Sequence, residues 1–228
     1  MPRRTSKRRM TKPIRALFLV TTMVLFAATP LIVRADAPAV PTFGTNLVIN
    51  GDAESDVGAP DNDHIVKPTG WQTTGQFTAV QYGASGGFPD KSTTGPANRG
   101  LNLFEGGNVP RSTAQQTIAL GALSADIDAG TVSYNFSAWI GGWENQGDYA
   151  VVSVQFRNTS GATLATSTLG PVTPAQRPGT SLVQRSHSGA VPKGTRSAVV
   201  SIVITRLVGT YNDGSVDNIA LVLNKKGT

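Results

Sequence analysis

The chain has no cysteine among its 228 residues and only two histidines, His64 and His187. The absence of cysteine excludes disulfide scaffolds, thiolate zinc sites and cysteine nucleophiles. The histidines lack a metal-binding spacing, and no glycine-rich phosphate loop ending in Lys-Ser or Lys-Thr is present. Several common classes of enzyme are therefore excluded, and rigidity must come from the core or from a bound metal.

Basic residues are scarce outside the N-terminus. Residues 1–37 contain eight of the twenty Lys and Arg residues but only one of the fourteen acidic residues. The rest of the chain holds twelve bases against thirteen acids, so the formal net charge of +6 originates in the N-terminal segment. Nucleic-acid binding, which requires clustered Lys and Arg, is therefore not expected.

Residues 1–37 have the pattern of a secretory signal peptide. A basic start precedes the apolar run Ala16–Val33, and small residues follow it, so cleavage is expected after Ala37 or after Ala35. An uncleaved membrane anchor is the alternative, but the apolar run is barely long enough to span a bilayer and contains Pro30. The pattern predicts a secreted, extracellular or cell-envelope protein without membrane contact after cleavage.

The remaining chain suits one domain. Residues 38–45 are rich in Pro and Ala and are interpreted as a linker, residues 46–224 as the domain and residues 225–228 as a tail. Apolar residues show no helical period there, whereas short alternating runs recur between Gly, Pro, Asn and Asp. This pattern predicts an all-β fold, a two-sheet antiparallel jelly-roll sandwich. The predicted strands are Asn46–Asn50, Gln76–Tyr82, Leu101–Phe104, Ser112–Ala119, Thr131–Ile140, Tyr149–Arg157, Ala162–Thr168, Ser181–Ser188, Ser197–Leu207 and Val216–Leu223.

Alternation assigns two faces to the strands Thr131–Ile140 and Tyr149–Arg157, because side chains point to opposite faces with a period of two. The apolar sets face the core, and a polar outer face with an aromatic residue remains on each strand. If the two strands are neighbours, they form a surface on which a sugar ring can stack. The candidate ligand-binding residues on it are Trp139, Tyr149, Gln155 and Arg157. The alternative is that Trp139 packs under a loop.

A second candidate is the polar loop that follows Gly141 and Gly142. It carries Trp143, and loops on rigid sandwiches often bind ligands. The alternative is a hairpin connection in which Trp143 covers the edge of a sheet. The sequence does not distinguish between these two interpretations.

Acidic residues mark both ends of the predicted domain. Asp52 and Glu54 follow the first predicted strand in an Asn-Gly turn, and Asp217 lies on the apolar face of the last strand. A buried carboxylate needs a partner, and a calcium ion would turn the repulsion between close carboxylates into attraction. We therefore expect a structural calcium bound by Glu54, Asp217 and Asp52. The alternative is that loop amides satisfy Asp217 while Glu54 remains in solvent.

Three motifs resemble a known family. The stretch Asn46–Glu54, with the sequence NLVINGDAE, resembles the opening strand of galactose-binding-like jelly rolls, which include many bacterial carbohydrate-binding modules. Pro68–Trp71 matches the Pro-x-Gly-Trp step that usually follows. VDNIAL, which begins at Val216, resembles the closing strand. The resemblance covers most of Asn46–Leu223.

The resemblance has consequences for function. Members of the family mostly bind glycans, so it implies a polysaccharide or glycan as partner. It implies that Glu54 and Asp217 help to hold a structural calcium, and that Trp71 packs in the core rather than in a ligand site. It does not identify ligand-binding residues, which vary widely in the family.

Evidence for an enzyme is weak. Gly83–Gly87 matches the nucleophile pattern G-x-S-x-G with Ser85, and His187 follows late, but that pattern works only on a strand-to-helix turn of an α/β sheet. A carboxylate pair for glycoside cleavage depends on a spatial separation that a sequence does not reveal. The primary hypothesis is a secreted, non-catalytic carbohydrate-binding module. The alternative is a structural or adhesive envelope protein of the same fold with a protein partner.

Overall fold

The computed structural model describes Met1 and residues 40–226. The predicted signal peptide therefore lies outside the described residues apart from Met1. Eleven strands and one short α-helix belong to one compact unit, Ala39–Thr228. The elements are β1 Ala59–Asp61, β2 Gln72–Thr74, β3 Thr78–Ser85, β4 Asn102–Glu105, β5 Arg111–Ala119, α1 Ser124–Ala129, β6 Val132–Gly142, β7 Tyr149–Arg157, β8 Thr163–Leu169, β9 Ser181–Ala190, β10 Ser197–Thr205 and β11 Ser215–Lys225.

The strands form two sheets that pack as a sandwich. One sheet has the order β1-β3-β4-β11-β6-β9 and the other β2-β5-β10-β7-β8. All neighbours are antiparallel except β1 and β3. From β4 onward the chain changes sheet at nearly every connection, which is the strand exchange of a jelly roll. The predicted fold class is confirmed.

The core lies between the two sheets and follows the predicted alternation. Every second residue of β6 and β7 is buried, including Phe136, Ile140 and Phe156. Ile202 of β10 and Leu221 of β11 add to the same cluster. Full burial of each such side chain stabilises the fold by about 1.5–3 kcal/mol, so the core supplies rigidity without disulfides.

Nine of the ten predicted strands coincide with observed strands, with ends that differ by at most three residues. The predicted strand Asn46–Asn50 is wrong. Only Asn46 forms an isolated bridge, to Val222 of β11. The N–H of Leu47 still donates to the carbonyl of Leu221 at 2.9 Å. The following N–H groups bond to side chains instead, that of Val48 to Asn46 Oδ1 at 3.1 Å and that of Ile49 to Gln116 Oε1 at 2.9 Å.

The sequence pattern does not predict β1, β2 or α1. β1 and β2 have three residues each and lie at sheet edges, where alternation is too short to detect. α1 has six residues, of which only Ile127 is buried, so it leaves no helical period. None of the helices in residues 40–226 has the length and hydropathy needed to span a membrane.

Candidate functional site

The outer face of the six-stranded sheet carries a cleft of about 440 Å³ beside Trp139. Trp139 of β6 is partly exposed and lies directly opposite Gln184 of β9. We call this the sheet-face cleft. The exposed or partly exposed side chains that line it include Trp139, Gln184, Asn98, Asn218 and Asp52.

A β-bulge shapes the cleft. Three steps along β11, from Asp217 to Ala220, oppose only two steps along β6, from Trp139 to Ser137. Asn218 takes up the extra residue with a φ of 48°, a conformation that Asn adopts more readily than most residues. A bulge changes the direction of nearby side chains. Here Asp217 is fully buried while Asn218 lines the cleft.

The opening motif packs against this bulge. The N–H of Ile219 donates to the carbonyl of Gly51 at 2.8 Å. A Cβ at Gly51 would lie 2.2 Å from the carbonyl oxygen of Ile219, so only glycine fits. The preceding Asn50 accepts the indole N–H of Trp71 on its carbonyl at 3.0 Å. Trp71 is buried, as the family resemblance implies.

The cleft residues differ in how many of their polar groups are already bonded. Asn46 uses both ends of its amide to hold β11, donating to Ile219 and accepting from Leu221. By contrast, Asn218 Nδ2 donates only to Asn98 Oδ1 at 3.2 Å, on the surface. That contact leaves the Nδ2 of Asn98 and the Oδ1 of Asn218 for a ligand. Amides beside an indole ring can orient hydroxyl groups while a ring stacks.

The sheet-face cleft continues into a polar strip along β6 and β9. Ser137 lies opposite Ser186, and Asn135 lies opposite Ser188, whose hydroxyl donates to Asn135 Oδ1 at 2.7 Å. The strip runs about 14 Å from Asn135 to Trp139 at the rise of a strand. An elongated polar surface with an aromatic end suits a chain of sugar units better than a compact ligand.

The other predicted ligand residues do not join this surface. β7 belongs to the five-stranded sheet, so Tyr149, Gln155 and Arg157 lie on the opposite outer face from Trp139. The prediction of one shared surface is therefore wrong. Arg157 donates twice to Gln155 Oε1, at 3.2 and 2.5 Å, so these two side chains partly satisfy each other. The chain crosses the sandwich after β6 instead of turning into a hairpin.

Trp143 lines a separate cleft of about 230 Å³, formed by loops. We call it the loop cleft. It contains Trp143, Gln146, Asn62, Tyr211 and Asp213. Burial raises the pKa of Asp213 to about 7, with Asp148 adding to the increase and Arg177 opposing it. Trp143 thus lies at a candidate site, but not at the one that contains Trp139.

The predicted calcium residues lie near one another. The pKa of the Asp217 carboxyl is raised to about 8, chiefly by burial and to a smaller extent by the negative charges of Glu54 and Asp52. Asp217 Oδ2 accepts the hydroxyl of Tyr82 at 2.6 Å. Within residues 40–226, no group of three or more His, Cys, Asp or Glu side chains is arranged as a metal-binding cluster.

The serine of the nucleophile pattern and His187 lie far apart, in agreement with the expectation that this pattern is not catalytic here. Ser85 ends β3, and His187 lies on β9. Four strand spacings separate these strands, about 19 Å at the usual distance between neighbours. His187 instead lies beside Tyr134, whose hydroxyl is 3.0 Å from its Nδ1. A Ser–His catalytic pair is therefore excluded for these residues.

The sequence analysis did not predict four residues of the sheet-face cleft as ligand residues. They are Gln184, Asn98, Asn218 and Asp52, and Asp52 was predicted only as a calcium residue. Gln184 could have been found by pairing the strands Thr131–Ile140 and Ser181–Ser188, since residues opposite each other share a face. Asn98 lies in a long loop and left no signal. Asn218 depends on the bulge, which alternation does not reveal.

Topology and site together define a jelly-roll β-sandwich with an aromatic, amide-lined cleft on one sheet. No protein-family model matches the chain, and no curated protein matches it. Among solved structures, it is similar to a family 16 carbohydrate-binding module, with a TM-score of 0.45 and 20% identity over 78% of this chain and 99% of the module.

Two further solved structures illustrate the range of similarity. A family 22 carbohydrate-binding module of Clostridium thermocellum has a TM-score of 0.41 and 13% identity, over 82% of this chain and 97% of the module. The enzymatically active domain of a bacteriophage CBA120 tailspike has a TM-score of 0.47 and 16% identity. It covers 78% of this chain, which spans 21% of that protein. Similarity at this level leaves function to the geometry of the site.

Proposed function

We propose that this protein is a non-catalytic module that binds polysaccharide chains in the sheet-face cleft. The observation that carries the proposal is the combination of a partly exposed Trp139 with the amides of Gln184, Asn98 and Asn218 around one cleft. An indole face gives a sugar ring an apolar platform, and amides both donate to and accept from hydroxyl groups.

The shape and charge of the cleft support a neutral polysaccharide. The polar strip extends the cleft along the strands. Among residues 40–226, no Lys or Arg lines the cleft, and Asp52 is the one charged residue in the lining. Anionic sugars would meet a carboxylate and no base, so neutral chains are the better match.

The test is a binding measurement with Trp139→Ala. Purified protein is titrated with soluble neutral polysaccharides, namely xylan, glucan, mannan and galactan, and affinity is followed by calorimetry. The substitution is expected to weaken binding at least about tenfold, as for an aromatic residue at the centre of a site. Tyr149→Ala, which removes an aromatic residue from the opposite face, is the matched control and should bind normally.

The outcomes separate the rival functions. Binding that survives Trp139→Ala would show that polysaccharides bind elsewhere. No binding by folded wild-type protein to any of the four polysaccharides would overturn the proposal. It would also favour a structural or adhesive role with a protein partner.

We further propose that a calcium ion braces the site beside Asp217. Glu54 Oε1 accepts the N–H groups of Leu101 and Asn102 at 2.8 and 2.7 Å, which fixes its carboxylate. Gly100 has a φ of 66°, and a Cβ there would lie 2.5 Å from that carboxylate, so the loop closes tightly around it. The oxygen-only chemistry of Glu54, Asp52 and Asp217 fits calcium, whose shell backbone carbonyls and water would complete.

The calcium proposal predicts a change in thermal stability. Chelation should lower the melting temperature by about 10 °C, because a bound ion at 1,000 times its Kd stabilises by about 4 kcal/mol. Glu54→Gln should lose most of this calcium response, whereas Glu144→Gln, on an exposed loop, should keep it. An unchanged melting temperature on chelation would show that the acids act without a metal.

We propose export of the protein through its N-terminal segment. The basic start, apolar run and small residues of 1–37 support this assignment. N-terminal sequencing of protein recovered from outside the cytoplasm should begin at Asp36 or Pro38. Recovery of the intact N-terminus in the membrane fraction would favour an anchor instead.

A further inference from the structure

The loop cleft has the features of a ligand site of its own, separate from the sheet-face cleft. It lies where the loop after β6 meets the loop before β11, and Trp143, Tyr211 and Asp213 line it together. Its volume of about 230 Å³ is roughly half that of the sheet-face cleft. The two clefts share no lining residue.

Hydrogen bonds hold the loop that carries Trp143 and forms one wall of the loop cleft. Arg177 is buried and donates from Nη2 to the carbonyls of Trp143 and Gln146, both at 3.1 Å. Glu144, between those two residues, has a φ of 38° and donates its N–H to Thr180 Oγ1 at 3.1 Å. These contacts fix the loop that carries Trp143, and a fixed loop loses little freedom when it binds a ligand.

The opposite wall is fixed by a buried carboxylate. Asp148 Oδ1 accepts the N–H groups of Leu207 and Val208 at 2.7 and 2.9 Å, and its Oδ2 accepts the N–H of Asp213 at 3.1 Å. The segment that includes Tyr211 is therefore tied to the base of β7. Both walls of the cleft are therefore held by hydrogen bonds from buried side chains to their backbone.

Unsatisfied polar atoms concentrate around the same cleft. Gln146 Oε1 and Arg177 Nε are buried without a hydrogen-bond partner among the described residues. Tyr211 is only 8% exposed. The side chain of Asp213 is partly exposed and lines the cleft. Native proteins rarely leave such groups unpaired, so water or a ligand is expected to meet them.

The chemistry of these groups selects a hydroxyl-rich ligand. A carboxylate and an amide carbonyl accept hydrogen bonds, while Trp143 presents an indole and Asn62 a second amide. Within the part of the chain that the structure describes, no lysine or arginine lines the cleft, which disfavours anions. From this arrangement we infer that the loop cleft is a second binding site, for a single neutral sugar unit such as the end of a glycan chain. The inference stands whether or not the sheet-face cleft binds polysaccharide.

The test uses monosaccharides, which are too small to need the polar strip. Wild-type protein is titrated by ligand-observed NMR with galactose, mannose, glucose, xylose, arabinose and N-acetylglucosamine. At least one should bind saturably. Asp213→Asn, which keeps the size of the side chain, should weaken that binding about tenfold or more, because hydrogen bonds to a charged group are lost. Trp139→Ala should leave it unchanged.

Three results would overturn the inference. They are no saturable binding of any of the six sugars, binding that Asp213→Asn and Trp143→Ala both leave intact, and binding that Trp139→Ala abolishes. Polysaccharide affinity measured on the same variants keeps the two sites apart. Loss of polysaccharide binding in Trp139→Ala with normal monosaccharide binding supports both sites. The melting temperature of each variant identifies any loss of fold.

Discussion

The two clefts of this protein are built in different ways. The sheet-face cleft rests on regular strands, where Trp139 and Gln184 are neighbours in register. The loop cleft rests on irregular segments, which Arg177 and Asp148 hold through backbone carbonyls and N–H groups. The hydrogen bonds of the sheet set the geometry of a site on a strand face, whereas a site made of loops needs buried polar side chains that bond to its backbone. The comparison shows why Arg177 and Asp148 are buried beside the loop cleft.

The largest effect is expected from Asp148→Ala. The substitution leaves three backbone N–H groups of the 207–213 segment without their acceptor. Each buried unpaired group costs about 1–3 kcal/mol, so the free energy of unfolding should fall by about 3 kcal/mol or more. Urea unfolding monitored by fluorescence measures it.

The contrast between the two clefts would be wrong if Asp148→Ala weakened binding at both clefts equally. Monosaccharide binding should be lost while polysaccharide binding persists at temperatures where the variant is folded. Asp148→Asn, which keeps one carbonyl oxygen near Leu207 and Val208, should fall between the wild type and the alanine variant. Equal stability of the wild type and Asp148→Ala would mean that the Asp148 carboxylate does not contribute to the stability of the fold.

A smaller effect is expected from pH acting on Asp213. Its pKa is raised from 3.8 to about 7 in the fold, first by burial and then by Asp148. A carboxyl with a raised pKa stabilises the fold below about pH 4, and that contribution disappears as pH rises toward 7. The Asp213→Asn variant has no carboxyl to ionise at this position and should not lose this stability. The difference in the free energy of unfolding, variant minus wild type, should therefore increase between pH 4 and 8.

The pH experiment compares wild type with Asp213→Asn, so the contributions of groups that do not interact with Asp213 cancel. Asp148, Arg177 and the buried Glu105 do interact with Asp213, so the difference between the two proteins reports Asp213 together with these neighbours. Melting curves at half-unit pH steps give the difference directly. A difference between wild type and Asp213→Asn that stays constant across this range would show that Asp213 is not perturbed by its site.

The smallest effect is expected from Gln184→Ala. Gln184 is exposed opposite Trp139, and its loss removes one hydrogen-bonding amide from the sheet-face cleft. One neutral hydrogen bond is worth about 1 kcal/mol, so polysaccharide affinity should fall several-fold with no change in stability. Thr166→Ala, on the outer face of the other sheet, is the control. A loss of polysaccharide affinity as large as that caused by Trp139→Ala would mean that stacking on Trp139 does not dominate binding.

The buried carboxylates of β4 and β11 differ in how far the sequence predicts them. Asp217 is fully buried and close to Glu54 and Asp52, as the opening and closing motifs predict. Glu105 was not predicted, although it is also fully buried, with its pKa well above the usual range because of burial. It ends β4 in an apolar run and accepts the hydroxyl of Ser215 at 2.5 Å. A sequence gives no sign of such a pairing across 110 positions.

The sequence by itself determined the all-β class, nine of the strands and the face on which each residue of β6 and β7 lies. Alternation is a local property, because each peptide turns successive side chains to opposite faces. Only the tertiary structure decided which faces form one surface. β6 and β7 are consecutive, yet they belong to different sheets, and this separates Trp139 from Arg157. The sheet-face cleft joins Asp52, Asn98, Trp139, Gln184 and Asn218 because strand order, a bulge and a long loop bring distant segments together.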